Sequence, residues 1–339
     1  MAAECFQSDI RRRPRLFCGR VIAFILISAF LVPGCSSGGS SFASDNQASS
    51  NSSSKPKKEA DDNTPDRDNT PRVLTPEASG KSVFGNDIVS MDLSNVSKGY
   101  MMLTYSGSNE KVKFQVQGPD GVTCTYLVEA RGEHVTYPLT GGDGGYTFTL
   151  YESADLSQDL YAVAFTESAD VTLEDKFLPY LTPNVYVDYN NKSKAVSEGS
   201  SLAEGCKTDL DAVENIYLYV TENIKYDTKK AENIAYGYIP DVDHTLKTKK
   251  GICFDYAALM TAMLRTQRIP TRLEVGYSGE IYHAWISCYL TEKGWVDNVI
   301  EFDGKNWSLM DPTLASNNGK GSVKKYVGDG SNYTVKYTY

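Results

Sequence analysis

The stretch KGICFDYAALM, residues 250–260, places a glycine before a cysteine and opens an apolar helical pattern on that cysteine. The first turn of a helix has backbone N–H groups without helical partners, and the macrodipole favours negative charge there. A thiolate at Cys253 is therefore expected to be stabilised, with its pKa lowered. Gly251 is expected to let the chain turn tightly and to leave room for a substrate. The N–H of Cys253 itself could face a developing oxyanion. A nucleophilic thiol also needs an acid–base partner, and the chain has three histidines. His134 lies beside Glu133 near a strand edge and reads as a surface residue. His244, in PDVDHTL, reads as a solvated loop residue. His283, in YHAWISCYL, lies on a strand. Alternation puts His283, Trp285 and Ser287 on one face and Tyr282, Ala284, Ile286 and Cys288 on the other, which makes Cys288 structural. A third group must fix the imidazole tautomer. Asp311, closing the apolar run in LMDPT, suits this better than Asp297 in GWVDN, although spacing alone does not decide between them.

The elements that must hold these residues change period along the chain. From about 81 to 172 the period is two: KVKFQVQ, YTFTLY and YAVAF alternate apolar with polar or small residues, and GPDG and GGDGG supply turns. This predicts a small antiparallel sandwich. After it, Leu210, Val213, Ile216 or Tyr217, Val220 and Ile224 fit one helix face, with Thr208 as cap and Asp209 and Asp211 in the first turn. A tyrosine-rich connection runs to residue 250. The helix starting at Cys253 carries Tyr256, Leu259, Met260, Met263 and Leu264 as its buried stripe and stops at Pro270. RLEVGY, IYHAWISCYL, GWVDNVI, NWSLMD and YTVKYTY then read as strands. Helices followed by antiparallel strands predict an α+β domain over 173–339, behind the all-β domain of 81–172.

GICFDYAALMTAMLRTQRIPTRLEVGY, YHAWISCYL, GW and WSLMDPT, in that order, closely resemble the transglutaminase-like core of the papain-like thiol enzymes, over roughly residues 205–315. The resemblance implies helices packed on an antiparallel sheet, with Cys253 as nucleophile, His283 as base and Asp311 as orienting acid. It implies attack on an amide carbonyl through a thioester, ending in hydrolysis when water is the acceptor and in cross-linking when an amine is. The segment DNVIEFDGKN is longer than in the shortest members and would reshape one cleft wall. The family also uses a residue upstream of the cysteine in its oxyanion hole, for which Tyr226 in NIKYD is a candidate. No acidic cluster matches the calcium sites of animal transglutaminases, and no metal or cofactor is expected.

At the N-terminus, Arg11, Arg12, Arg13, Arg15 and Arg20 precede the apolar run VIAFILISAFLV. This reads as a signal peptide over 1–34. Its end, LVPGC, resembles a bacterial lipoprotein signal and implies lipidation at Cys35. Removing residues 1–34 takes away five arginines and two acids, so the formal charge moves from −9 to −12. Acyl chains rather than charge would then hold the protein to a membrane, and a nucleic-acid partner is not expected. Residues 35–80, rich in Ser, Asn, Asp and Pro, are expected to be a disordered tether of about 45 residues spanning roughly 35–40 Å root-mean-square. Seven cysteines, two of them in the signal, make no disulfide framework; at most one bridge could join Cys124, Cys206 and Cys288. The combined expectation is an exported, membrane-tethered thiol enzyme acting on proteins or cell-wall peptides. The alternative is a non-catalytic surface lipoprotein that binds a protein or wall polymer.

Overall fold

The structure, a computed structural model, describes residues 67–128, 132–291, 293–297, 301–302, 307–308 and 333–339. Cys35 and Asp311, two of the predicted site residues, and the signal-like segment lie outside the described residues.

The period-two region folds as read. β1 (Val83–Gly85), β2 (Val89–Asp92), β3 (Tyr100–Tyr105) and β6 (Val135–Pro138) form one antiparallel sheet in the order β1-β2-β3-β6. β5 (Thr123–Leu127), β4 (Val112–Gln117), β7 (Gly144–Asp155) and β8 (Leu160–Val171) form a second, in that order. Phe114 of β4 meets Tyr137 of β6 with ring centroids 4.7 Å apart, so the sheets share a core. The inward alternation expected for β8 is not realised: Val163 is 58% exposed and Phe165 half-buried. β8 is an edge strand, and its ladder to β7 shifts register between Leu150 and Tyr151, which breaks the two-residue period.

The second region is built around one helix. α1 (Lys194–Ala203), α2 (Asp209–Asn223) and α4 (Val242–Thr248) pack on α5 (Cys253–Thr266), whose other side meets β11 (Thr271–Ser278) and β12 (Ile281–Leu290). Thr208 caps α2 as expected: its hydroxyl accepts from the N–H of Asp211, and the Asp211 carboxylate accepts from the N–H of Thr208. α5 departs from the predicted single stripe. Every residue from Cys253 to Thr266 is buried, because helices cover the faces that the sheet leaves open. Arg265 is inside with them; its guanidinium donates to the carbonyls of Thr271, Thr182 and Tyr339. β13 (Gly294–Val296), β12, β11 and β16 (Tyr333–Thr338) form an antiparallel sheet in that order. The connection before residue 250 holds β9 (Lys225–Tyr226), α3 (Thr228–Glu232), α4 and β10 (Lys250–Gly251), with β14 (Glu301–Phe302) and β15 (Trp307–Ser308) pairing beyond β13.

The end of the predicted tether needs correction. Residues 67–80 are not a free chain but an extended strap along the folded surface. Arg67 donates to Asp209 at 2.8 Å, Asn69 to the Cys206 carbonyl at 2.9 Å, and the N–H of Arg72 to the Thr266 carbonyl at 2.8 Å. Further along, the N–H of Gly80 donates to Asp92 at 2.7 Å. Polar and charged contacts order this stretch, and a reading based on its lack of apolar residues cannot see them.

Candidate active site

The site is built from the start of α5 outward. Ile252 is extended and Cys253 is the first helical residue, as predicted. The Asp255 carboxylate folds back to accept the N–H of Ile252 at 2.8 Å, which is half of a capping box. Gly251 makes room for this cap: a Cβ there would stand 2.6 Å from the Asp255 Cβ. Asp255 is wholly buried. It is held by Lys230 of α3, whose Nζ is 2.6 Å from Oδ2, and by the Tyr238 hydroxyl, which donates to Oδ1.

The Cys253 thiol lies against the backbone N–H of Ala284, the residue after His283, and against the N–H groups of Phe254 and of Cys253 itself. Among the described residues, β13 pairs with β12 only over Cys288–Leu290, which leaves the part carrying His283 and Ala284 for the helix mouth. Cys253 is 2% and His283 5% exposed. Burial pushes the thiol up to about 12, overriding the three N–H groups, and pushes the imidazole down to about 4. The expected lowering of the thiol pKa is thus reversed by burial. Desolvation of a charge costs more here than a helix terminus returns, so thiol and imidazole both rest neutral.

Tyr226 comes to the same place by a route that its position in the sequence does not reveal. β9 pairs in parallel with β10, matching Lys225 to Lys250 and Tyr226 to Gly251. The N–H of Lys225 donates to the Lys249 carbonyl at 2.9 Å, and that of Asp227 to the Gly251 carbonyl at 2.8 Å. This short ladder sets the Tyr226 hydroxyl where it accepts the N–H of Cys253. The candidate oxyanion partner and the nucleophile's own amide therefore meet.

Behind His283, the strand face reads as predicted. His283 and Trp285 lie with ring centroids 6.4 Å apart and nearly parallel. Trp285 Nε1 donates to Glu274 at 2.8 Å, and the Ser287 hydroxyl donates to the same oxygen at 2.6 Å. Burial raises the pKa of Glu274. Gly276 stands opposite His283, where a Cβ would strike the Thr334 carbonyl oxygen of β16 at 2.0 Å. Cys288 faces away from His283 and is buried. Cys124 and Cys206 are buried thiols with no disulfide. His134 and His244 are exposed, and His244 lies on α4 rather than in a loop, because Asp241 caps that helix by accepting the N–H of His244. Asp297 is 63% exposed and faces Arg272 at 4.0 Å, on β13's side of the sheet. Among the described residues no group of three or more His, Cys, Asp or Glu side chains could hold a metal ion.

Asp255, Lys230, Tyr238 and Glu274 were not identified from the sequence. An acid three residues after a helix cap was a legible signal for Asp255, and strand alternation would have set Glu274 across from Trp285. Nothing local marks Lys230 or Tyr238.

Comparison with known proteins bears on the same region. Residues 199–298 match the family model described as the transglutaminase-like superfamily. The UPF0252 protein MJ1282 of Methanocaldococcus jannaschii is 42% identical over 69 residues, 19% of this chain and 20% of that protein. Human kyphoscoliosis peptidase is 29% identical over 129 residues, 34% of this chain and 17% of its own length. The chain thus spans about a fifth or less of each of these relatives. A solved structure of a proposed cysteine protease from Cytophaga hutchinsonii aligns with 63% of this chain and 67% of its own at 14% identity, with a TM-score of 0.33. Taken with the helix-on-antiparallel-sheet architecture around Cys253, the match identifies residues 199–298 as a transglutaminase-like superfamily domain.

Proposed function

We propose that the chain is a thiol acyl-transfer enzyme acting on amide bonds of proteins or peptides. The observation that carries this is the meeting at one helix mouth of Cys253, the strand segment His283–Ala284, and the Tyr226 hydroxyl on the N–H of Cys253. In this mechanism the neutral His283 takes the thiol proton as Sγ bonds to the amide carbon. The carbonyl π pair moves to oxygen, which accepts from the N–H of Cys253 and from the Tyr226 hydroxyl, now turned from acceptor to donor. His283 then gives its proton to the leaving amine as the C–N bond breaks, and a thioester remains. Water releases an acid and an amine releases a new amide. The peptidase name of the human relative favours water as acceptor. Asp311 is assigned the role of orienting His283, from the matching Asp-Pro-Thr motif.

The working location is extracytoplasmic, with acyl chains on Cys35 as the anchor; the support is the basic and apolar leader ending in LVPGC. Labelled palmitate that enters the wild type but not Cys35→Ala is the expected result.

The decisive experiment incubates wild type, Cys253→Ala and His283→Ala with peptide amides and wall peptides, with and without a primary amine. Wild type should release ammonia or amine, and both variants should lose at least about a thousandfold in rate. Full activity in Cys253→Ala would exclude this chemistry. A folded wild type inert to every substrate and to thiol reagents would favour the binding lipoprotein.

A further inference from the structure

A buried carboxylate two residues beyond a nucleophilic cysteine sets a conflict. Asp255 is needed as the cap that fixes the start of α5, because its Oδ2 accepts the N–H of Ile252 at 2.8 Å. The same negative charge opposes a thiolate at Cys253, and it does so without water to screen it, since both residues are buried. The fold places a cation against it. Lys230 Nζ is 2.6 Å from Asp255 Oδ2 and 2.6 Å from the Tyr238 hydroxyl, and sits 4.2 Å from the centre of the Tyr238 ring. Tyr238 in turn donates to the other carboxylate oxygen. α3 carries Lys230, and Asp227, which caps α3 by accepting the N–H of Lys230 at 3.0 Å, is bonded through its own N–H to Gly251. The ladder that brings Tyr226 to Cys253 thus also brings Lys230 to Asp255.

We propose that Lys230 is a positioning residue that neutralises Asp255, so that the cap holding Cys253 at the helix mouth does not oppose its thiolate. This rests on the reading of Cys253 as the nucleophile. Other titratable groups lie near the pair among the described residues. Tyr226 of β9 acts on Cys253, Tyr256 of α5 has its ring centroid 6.5 Å from that of Tyr226, and His283 of β12 precedes the Ala284 N–H that the thiol lies against. None of the three carries a negative charge at neutral pH. Asp241, which acts on Tyr238, lies at the cap of α4. Among the described residues Asp255 therefore supplies the nearby buried negative charge, and after burial itself it raises the Cys253 pKa.

The test is the rate of Cys253 alkylation against pH, read by peptide mass spectrometry on the full chain. The variants are wild type, Lys230→Met, Lys230→Arg and the double variant Lys230→Met, Asp255→Asn, each with its near-ultraviolet circular dichroism checked. In Lys230→Met the midpoint should move up by about one pH unit, a roughly tenfold slower reaction at pH below it. Lys230→Arg should keep the wild-type midpoint, and the double variant should return to it. A slower reaction in Lys230→Met with an unmoved midpoint would mean that Lys230 only props the helix, and the inference would be overturned. So would a double variant as displaced as the single one. Should Lys230→Met fail to fold, Lys230→Gln and the double variant carry the same comparison. If Cys253 of the wild type shows no pH-dependent alkylation at all, the nucleophile reading itself fails, and that outcome is visible before any variant is compared.

Discussion

The strand-rich region and the helix-centred region solve opposite packing problems. The first buries rings and aliphatic chains: Phe114, Tyr126, Tyr137 and Phe148 fill the space between its sheets, and its buried charge among the described residues is Asp92, at the point where the strap docks. The second buries Asp255, Arg265, Glu274 and His283. Each of those groups costs free energy unless it finds a partner. Arg265 finds three carbonyls, Asp255 an ammonium, a phenol and an amide, and Glu274 an indole and a hydroxyl. The contrast is between a region packed with apolar side chains and one that holds polar groups in a dry space, where the proposed reaction would use them.

Four substitutions would break or sharpen that contrast. The largest effect is expected when the two interiors are opened in parallel. Phe114→Ala should cost about 4 kcal/mol in denaturant unfolding through the cavity it leaves. Arg265→Ala should cost a similar amount through carbonyls left without donors. Phe114→Ala should nonetheless keep its kcat per folded molecule, whereas Arg265→Ala, which loosens α5 against β11 and the Tyr339 carbonyl, should lose kcat as well. Equal kcat losses would erase the division of labour.

The next effect is in stability against pH. The folded pKa of His283 is depressed from the ordinary 6.5 to about 4, so the unfolded chain binds the extra proton between those values. Stability from this group is complete above about 6.5 and is lost as pH falls toward 4, with about 3 kcal/mol as the upper bound. Urea midpoints of wild type and His283→Gln, compared at pH 7 and pH 4.5, should converge or cross on acidification. Parallel curves would show that His283 is not held neutral. The smallest effect is on transition-state stabilisation alone. Tyr226→Phe should lower kcat about a hundredfold, about 2.7 kcal/mol, with little change in KM. An unchanged kcat would return Tyr226 to the packing residues.

Legibility followed the same divide. The strands of the sandwich announce themselves by alternation, and the one that misled, β8, is an edge where alternation meets solvent on both sides. In the second region the Thr208 cap, the start of α5 at Cys253 and the whole of β12 could be read directly, since caps and strand faces are local patterns. α1, α3 and α4 were not read. α3 and α4 are a turn or two long, started by Asp227 and Asp241 rather than by any apolar period. The strap at 67–80 was read as free chain because its ordering contacts are hydrogen bonds and ion pairs to residues far away in sequence.

The sequence alone determined the chemical types and their local stage: a thiol at a helix start behind a glycine, an imidazole on a strand face shared with Trp285, and a sandwich ahead of them. Tertiary structure decided the state in which that chemistry rests. Burial reversed the direction expected for the thiol, a two-residue parallel ladder delivered Tyr226 to the Cys253 amide, and α3 delivered Lys230 to Asp255. The physical reason is range. Periodicity and capping act over a few residues, whereas desolvation and ion pairing depend on which distant segments close over a site once the chain has folded.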